Sequence, residues 1–376
     1  MPEIISIAAI VLTLVYVTIV LFLISGWHRL EKHKSTAQHL KTFVSVLIAA
    51  RNEENHIGDT IRDILNQNFP QSQLEIIVVD DHSTDRTASV VRSFSDRGVK
   101  LIQLNELEPL NSYKKKAISE AINQASGELI VVTDADCRMG GGWLSAMVSL
   151  YEERESYLIS GPVVYHEDKT LFERLQTLEF LYLIGLGAAG IGAKKASTCN
   201  GANLAYRREI FFEVGGFKDI DELASGDDEL FLHKVAAQYP DRIDFCKDEE
   251  AIVYTEAKVD LQAFINQRKR WASKSTRYKD KSIVVLGVSV WLFNLFLLLS
   301  FLSAPFFPTL WPSVLYCLII KMSVEFVFLY PVCGFAKRSS YLPLLPLLSI
   351  LHILYLVFIG IAGNSGRYQW KGRLVR

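Results

Sequence analysis

The uneven distribution of charge along the chain constrains its fold more than any other feature of the sequence. The 376 residues include 40 Lys and Arg and 41 Asp and Glu, yet residues 282–320 and 339–366 contain none of them, and the first 25 residues contain only Glu3. Uncharged stretches of this length are long enough to cross a bilayer, which takes about 20 residues. The chain is therefore predicted to be an integral membrane protein with a large water-soluble middle.

The overall charge argues against one class of partner. The net charge is −1, whereas a nucleic-acid-binding protein needs a basic domain or stripe. We therefore expect no nucleic-acid partner, and we expect the membrane itself to be a partner.

Residues 1–27 are predicted to form an uncleaved N-terminal transmembrane anchor. A signal peptide would carry positive charge before its apolar core and small residues at a cleavage site after it. Here Glu3 precedes the apolar run, and the cations Arg29, Lys32 and Lys34 follow it. The positive-inside rule then places the N-terminus outside and the following domain in the cytoplasm.

Residues 282–362 are predicted to contain about three transmembrane or re-entrant segments, and residues 363–376 a basic tail. The segments are Ser282–Phe301, Leu310–Cys333 and Leu342–Ile361. Lys321 and Glu325, four residues apart in the second segment, share one helical face, and charges at that depth are either functional or form an internal ion pair. Three spans from a cytoplasmic start leave the C-terminus outside, whereas four cations in the last eleven residues favour the inside. The sequence leaves the side of the C-terminus open.

The water-soluble middle, residues 40–275, alternates short β-branched runs with helical patterns. The predicted strands are Phe43–Ala49, Leu74–Val79, Val99–Leu104 and Leu129–Thr133. Strands that alternate with helices of about ten residues form a doubly wound, mostly parallel α/β sheet. In such sheets ligands bind beyond the carboxyl ends of the strands. Acidic clusters follow the second and fourth predicted strands, so we expect the functional site at that edge.

The acidic pair after the fourth strand predicts a metal site. The chain has no GxxxxGK[ST] sequence, and its one GxGxxG, at residues 185–190, lies far from the first strand and is not assigned to a dinucleotide. A phosphate therefore needs another neutralising group. Asp134 and Asp136, two positions apart in an extended segment, project to one side. Mg²⁺ or Mn²⁺ takes such carboxylate oxygens together with substrate phosphates; a solvated turn is the alternative.

Six sequence segments occur in a fixed order between residues 43 and 275. They are FVSVLIAARNEE, IIVVDDHSTDRT, SGELIVVTDADC, CNGANLAYRREIFFEVGGF, ASGDDELFLHK and QRKRW. Together they resemble the family 2 glycosyltransferases of GT-A fold. With apolar segments on both sides, the chain is similar to the integral-membrane branch, which includes cellulose, chitin and hyaluronan synthases, poly-N-acetylglucosamine synthases and ceramide glucosyltransferases.

The resemblance implies an architecture and a location. It implies an α/β GT-A domain between an N-terminal transmembrane helix and C-terminal transmembrane or interfacial helices. It also implies a bacterial plasma (inner) membrane protein whose catalytic domain is cytoplasmic and whose donor is a nucleotide-sugar, typically a UDP-sugar.

The resemblance further implies which residues bind the donor. The nucleotide-sugar site would consist of Ala49, Arg51, Glu53, Asp81, Lys114 and Asp134. Within it Asp81 would bind the base, Asp134 the ribose or diphosphate region, and Asp136 the divalent metal, with Asp134 as a second metal ligand. Where the family often has Pro-x-Tyr, this chain has Ala49-Ala50-Arg51, which leaves the base contact open.

The same resemblance assigns Asp228 as the general base that takes the proton from an acceptor hydroxyl. One displacement then inverts the anomeric configuration while the metal stabilises the leaving diphosphate. Capping of the following helix is the alternative role for Asp228, and both roles can hold.

Asp227 and one face of a later helix would contact the acceptor or the diphosphate. On that helix Gln267, Arg270 and Trp271 follow the spacing QxxRW and share one face. An interfacial helix, with its Arg and Trp at lipid headgroups, is the alternative.

Three functions compete at this point. The first is a transferase that places one sugar on a membrane lipid, and the second is a small processive polysaccharide synthase. The third is a scaffold on an inactive transferase fold, which predicts losses among the acidic motifs. Asp81, Asp134, Asp136 and Asp228 are all present, so we expect an enzyme with a lipid or glycan acceptor.

Overall fold

A computed structural model of the protein describes residues 2–35, 40–106, 110, 112–166, 168–223, 225–363, 368–370 and 373–375. Its strands are β1 Val44–Ala50, β2 Leu74–Asp80, β3 Val99–Gln103, β4 Leu129–Asp134, β5 Arg138–Met139, β6 Leu158–Ser160, β7 Val163–Tyr165, β8 Leu204–Arg207, β9 Ile243–Phe245, β10 Val253–Thr255, β11 Tyr368–Trp370 and β12 Arg373–Val375. Its α-helices are α1 Pro2–Arg29, α2 Ile57–Leu65, α3 Thr87–Arg92, α4 Tyr113–Gln124, α5 Trp143–Arg154, α6 Leu171–Gly192, α7 Arg208–Glu213, α8 Glu229–Gln238, α9 Leu261–Ser273, α10 Lys281–Ser303, α11 Trp311–Phe335 and α12 Leu345–Ala362.

The central sheet has the strand order β3-β2-β1-β4-β8-β6-β9. Strands β3, β2, β1 and β4 run parallel to one another, whereas β8 is antiparallel to both β4 and β6. A second sheet has the order β5-β10-β7. The four predicted strands occur within one residue of their expected bounds, and the predicted mostly parallel α/β sheet is confirmed.

The strand register aligns the carboxyl ends of three strands at one edge of the sheet. Ala50 pairs with Asp80, the last residue of β2, and Ala49 pairs with Asp134, the last residue of β4. The residues that follow these strands therefore start from neighbouring positions, as expected for parallel strands.

The GxGxxG segment at residues 185–190 lies inside α6. A dinucleotide-binding segment of this kind would form the turn from a strand into a helix. The helical conformation agrees with leaving the segment unassigned.

The chain divides into two compact units, each built from separate segments. The apolar-helix unit comprises Met1–His28, Asp168–Gly185 and Lys258–Gly366. The sheet unit comprises Arg29–Glu167, Leu186–Ala257 and Arg367–Arg376. Half of the predicted basic tail, 363–376, lies outside the described residues; within it β11 and β12 form an antiparallel pair.

Among the described residues, five helical segments are long and apolar enough to cross a membrane. By length and composition they are Ile5–Arg29, Leu171–Gly192, Lys281–Ser303, Pro308–Phe335 and Ser339–Ala362. Four of them contain the predicted spans. The additional segment, α6, is the most buried of the five. Of its apolar stretch 72% is buried inside the protein, against 17–33% for the other segments. Large apolar side chains on the other helices are exposed, such as Ile7, Val285 and Ile361, which fits contact with lipid and supports association with a membrane.

Lys321 and Glu325 form a buried ion pair inside the apolar-helix unit. Lys321 Nζ lies 2.5 Å from Glu325 Oε1, and both side chains are almost fully buried. The hydroxyl groups of Tyr16 and Ser349 donate to the same carboxylate at 2.5 and 2.8 Å. Of the two roles considered for these charges, the geometry is that of an internal ion pair, and it joins α1, α11 and α12.

We expect Lys321→Met or Glu325→Gln alone to destabilise the detergent-solubilised protein by about 3 kcal/mol, because each leaves a buried charge without its partner. The double variant should recover most of that loss, since it buries neither charge. Thermal unfolding of the four proteins measures both effects. A double variant as unstable as the sum of the two single variants would contradict the ion-pair interpretation.

Candidate active site

The first part of the site forms where β1 and β2 end. The Asp81 N–H donates to the Ala50 carbonyl at 2.8 Å, so the chain after β2 stays attached to β1. Arg51 NH1 donates to the carbonyl groups of Asp81 and His82 at 2.8 and 3.0 Å. The Asp81 side chain is 3% exposed and lies 3.0 Å from His82 Nδ1. The structure thus brings the predicted donor-site residues Arg51 and Asp81 together, and Ala49 lies beside them near the end of β1.

Glu53 lies in the turn that leads from β1 into α2. Its N–H donates to Thr87 Oγ1 at 2.7 Å, and its carbonyl accepts from the N–H groups of His56 and Ile57 at 3.0 Å. The described hydrogen bonds of Glu53 therefore fix its backbone between α2 and α3, close to the ends of the same two strands.

Lys114 connects the acidic motif after β4 with a second acidic pair far away in the sequence. Its Nζ lies 2.7 Å from Asp134 Oδ1 and 3.2 Å from Asp227 Oδ2. Burial opposes the charge on this ammonium group, but the charges of Asp134 and Asp227 outweigh it and raise the pKa of Lys114. Lys114 therefore stays protonated and holds the two carboxylates in one site.

Asp228 is fixed by hydrogen bonds to both of its carboxylate oxygens. Oδ1 accepts the N–H of Glu229 at 2.6 Å and caps α8, as the alternative interpretation predicted. Oδ2 accepts the N–H of Gly201 at 3.0 Å. A Cβ on Gly201 would lie 3.3 Å from Asp227 Oδ2 and from Asp228 Cβ, so a larger residue here would crowd the two acids.

The loop after β4 offers a group of possible metal ligands. The ligand atoms of Asp134, Asp136 and Cys137 lie within 4.8 Å of one another. Burial, with the charges of both aspartates, raises the pKa of the Cys137 thiol well above its usual range, so it stays protonated. The two carboxylates are then the suitable donors, and oxygen donors select Mg²⁺ or Mn²⁺ rather than a softer metal.

A cleft of about 210 Å³ opens beside Asp136. Its lining residues are His56, Asp59, Asp136, Arg138, His166, Tyr254, Thr255 and Glu256. The rings of His166 and Tyr254 meet edge to face at 5.7 Å. The cleft therefore offers charged groups and aromatic edges next to the candidate metal ligands.

Asn203 belongs to the segment that carries Gly201, but the structure gives it a structural role. It is fully buried. Its side chain accepts from Trp143 Nε1 at 3.0 Å and donates to the carbonyls of Pro162 and Ala251 at 2.8 Å. These bonds hold the start of β8 in place, and with it the segment that reaches Asp228.

Gln267, Arg270 and Trp271 lie on α9, in the apolar-helix unit. The guanidinium of the intervening residue, Arg268, lies 4.2 Å from the centre of the Trp271 ring. Arg268 also forms a buried ion pair with Glu179 and donates to Gln267 Oε1 at 2.7 Å. Reasoning from the motif missed Arg268, because QRKRW contains three cations and only a partner such as Glu179 shows which one is buried.

Comparison with known proteins identifies the domain that holds most of this site. Residues 45–215 match the family model described as glycosyl transferase family 2. These residues are therefore similar to the domain of the family 2 glycosyltransferases. That match contains the ends of β1, β2 and β4 and the segment around Gly201, and it stops before Asp227 and Asp228.

Two curated proteins illustrate the relationship. The chain is 31% identical over 235 residues to the probable glycosyltransferase YdaM of Bacillus subtilis, covering 61% of this chain and 54% of that protein. It is 31% identical over 113 residues to the beta-monoglucosyldiacylglycerol synthase of a Nostoc species, covering 30% of this chain and 24% of that protein. The chain thus spans about half or less of the length of these relatives.

A solved structure supports the same fold over nearly the whole chain. The mannosyltransferase PcManGT from Pyrobaculum calidifontis, solved in complex with GDP-Man and Mn²⁺, superposes with a TM-score of 0.55 at 20% identity. The superposition covers 93% of this chain and 99% of that one. At this identity the likeness shows the fold alone.

We expect Asp136→Asn to weaken Mn²⁺ binding about tenfold or more, because it removes a charged ligand from the pair. Titration of the protein with Mn²⁺ in the presence of UDP, with free Mn²⁺ followed by electron paramagnetic resonance, measures this. Glu256→Gln removes an exposed carboxylate from the same cleft and should leave the affinity unchanged. Equal affinity for wild type and Asp136→Asn would show that the metal binds elsewhere.

Proposed function

We propose that the protein is an inverting, metal-dependent membrane glycosyltransferase that moves a sugar from a UDP-sugar to a hydroxyl group of a lipid acceptor. The observation that carries the proposal is the position of Lys114 between Asp134 and Asp227. It joins the candidate site for the metal and the diphosphate to the acidic pair that contains the candidate base. The catalytic domain is assigned to residues 40–275.

The donor is assigned to the edge where β1, β2 and β4 end. Asp81 is almost completely buried there, with the backbone around it fixed by Arg51. A buried carboxylate in a fixed position is suited to accept a hydrogen bond from the base. Ala49 and Glu53 complete this side of the pocket, and Lys114 and Asp134 belong to the diphosphate side.

The chemistry is a single displacement at the anomeric carbon. The acceptor oxygen forms a bond to that carbon as the bond from the carbon to the leaving phosphate oxygen breaks, and the acceptor proton passes to Asp228. A bound Mg²⁺ or Mn²⁺ would supply positive charge against the leaving diphosphate. Lys114 adds a second positive charge beside the same carboxylates. One displacement inverts the configuration of the sugar.

The acceptor is assigned as a lipid from the apolar helices. Five segments suited to a membrane would keep the domain at the bilayer surface, and the Nostoc relative is named for synthesis of a glycolipid. A processive synthase needs a polar path through its helices, and Lys321 and Glu325 are the charged residues that the segment Leu310–Cys333 would offer to such a path. The Glu325 carboxylate instead accepts from the Lys321 ammonium group and from the hydroxyl groups of Tyr16 and Ser349, which favours the single-transfer function.

The membrane and its side complete the proposal. Arg29, Lys32 and Lys34 follow the first apolar helix, which supports the assignment of the catalytic domain to the cytoplasmic side of a bacterial plasma membrane. Gln267, Arg270 and Trp271, together with Asp227, are assigned to the acceptor and the diphosphate.

The test is to follow a labelled sugar into its product. Membranes that contain the protein receive Mn²⁺ or Mg²⁺ and one of UDP-glucose, UDP-galactose, UDP-N-acetylglucosamine or GDP-mannose, each radiolabelled, and are then extracted with chloroform and methanol. Label in the organic phase from a UDP-sugar is the expected result. Label in a polymer would establish a synthase instead. Label from GDP-mannose alone would overturn the assignment of UDP as the nucleotide of the donor. Incorporation equal to that of membranes without the protein would overturn the proposal.

We expect Asp228→Asn to lower kcat by about 10²–10⁴-fold, the usual contribution of a general base, and to leave the Kd for UDP within about twofold. Asp81→Ala should instead weaken UDP binding. Asp96→Asn, at an exposed acid away from the site, is the matched control for both. Turnover and isothermal titration with UDP measure the two effects, and loss of UDP binding in Asp228→Asn would assign this residue to the donor site.

A further inference from the structure

The segment that leads to the acidic pair, described at residues 215–223 and 225–226, is an irregular loop between α7 and α8. Its φ angles are positive at Gly215, Gly216, Asp219 and Gly226, with values of 74°, 48°, 68° and 86°. A loop that turns in this way cannot pair its carbonyl groups in a regular ladder, so they need other donors.

Lys115 supplies donors to the second half of this loop. Its Nζ donates to the carbonyl groups of Ile220, Leu223 and Ser225 at 2.8, 2.6 and 2.7 Å. The side chain is 2% exposed. An ammonium group has three N–H donors, and these three carbonyls match them. A buried lysine is costly unless its charge is well hydrogen-bonded, so this arrangement fixes the loop and the lysine together.

Lys234 supplies donors to the first half of the loop. Its Nζ donates to the carbonyl groups of Gly215, Gly216 and Lys218 at 3.2, 2.7 and 3.1 Å. The acceptors of Lys234 lie at the end of the loop that is distant in sequence from the acids. The acceptors of Lys115 lie at the other end of the loop, which leads into the two acids. The two lysines therefore hold the same loop by the same kind of bond, but at different distances along the chain from the two acids.

We propose that Lys115 is a positioning residue for the general base. Lys114, its neighbour on α4, contacts Asp134 and Asp227 directly, while Lys115 fixes the loop from which Asp227 and Asp228 follow. The start of α4 thus sets the position of the acids and of the chain that carries them. The inference rests on the proposed function in one respect, the assignment of Asp228 as base.

The test compares three substitutions that each remove one ammonium group. Lys115→Met and Lys234→Met each remove three bonds to the loop. Lys116→Met is the control, because Lys116 is exposed and its Nζ lies 3.7–3.8 Å from the carboxylates of Glu120 and Glu106. The measurements on the full chain in detergent are kcat, KM, the Kd for UDP and the thermal midpoint.

Lys115→Met should lower kcat about ten- to hundredfold, because displacement of a catalytic group by about 1 Å has effects of this size, with the Kd for UDP unchanged. Lys234→Met should lower the thermal midpoint, but the kcat of its folded fraction should stay within about threefold of the wild-type value. Lys116→Met should match wild type. If Lys115→Met and Lys234→Met lose activity equally, in proportion to the loss of folded protein, Lys115 only stabilises the fold and the proposal is wrong.

Amide hydrogen exchange separates this inference from the proposed function. Peptides that cover residues 219–229 should exchange about tenfold faster in Lys115→Met than in Lys116→Met. Unchanged exchange would overturn the positioning role whatever the activity. A wild-type protein that transfers no sugar would overturn the proposed function but leave this comparison intact. If Lys115→Met does not fold, Lys115→Arg, which spreads its donors over a planar group, replaces it with smaller expected effects.

Discussion

The ammonium group of Lys114 lies between carboxylates from two distant parts of the chain, and the rest of the site depends on this contact. Without a positive charge, Asp134 and Asp227 would repel each other at this separation. With it, the loop after β4 and the start of α8 are held together. The backbone N–H of Gly201 adds a further bond to Asp228. The site is thus built from one central charge and the backbone groups around it.

The sequence allowed prediction of the part of the fold that local pattern determines. The runs that became β1 to β4 are continuous and β-branched, and a buried parallel strand needs little else to be identified. The antiparallel strand β8 was not predicted, because Leu204–Arg207 is short and follows no periodicity. Since β8 lies next to β4, it sets which later residues reach the site. The contact between Lys114 and Asp227 therefore could not be derived from the sequence.

Three consecutive lysines show why the remaining site residues were not predictable. Successive residues on a helix point about 100° apart, so Lys114, Lys115 and Lys116 face three different surroundings. The first contacts two carboxylates, the second three carbonyl groups, and the third is exposed. Identical side chains give no sign of this difference in the sequence. The resemblance singled out Lys114, but only the position of α4 against the loop before α8 shows what Lys115 contacts.

The hydrogen bond from Tyr16 to Glu325 has a practical consequence for the N-terminal helix. A single anchoring helix is often treated as a tether that can be cut away to obtain a catalytic domain. Here α1 supplies a hydroxyl group to a buried carboxylate, and the ring of Trp27 packs against Phe335 at 5.8 Å. Removal of residues 1–30 would uncover one side of the ion pair between Lys321 and Glu325, which lies in apolar surroundings. The first helix is therefore an internal part of its unit, and truncation there changes what the remaining helices can bury.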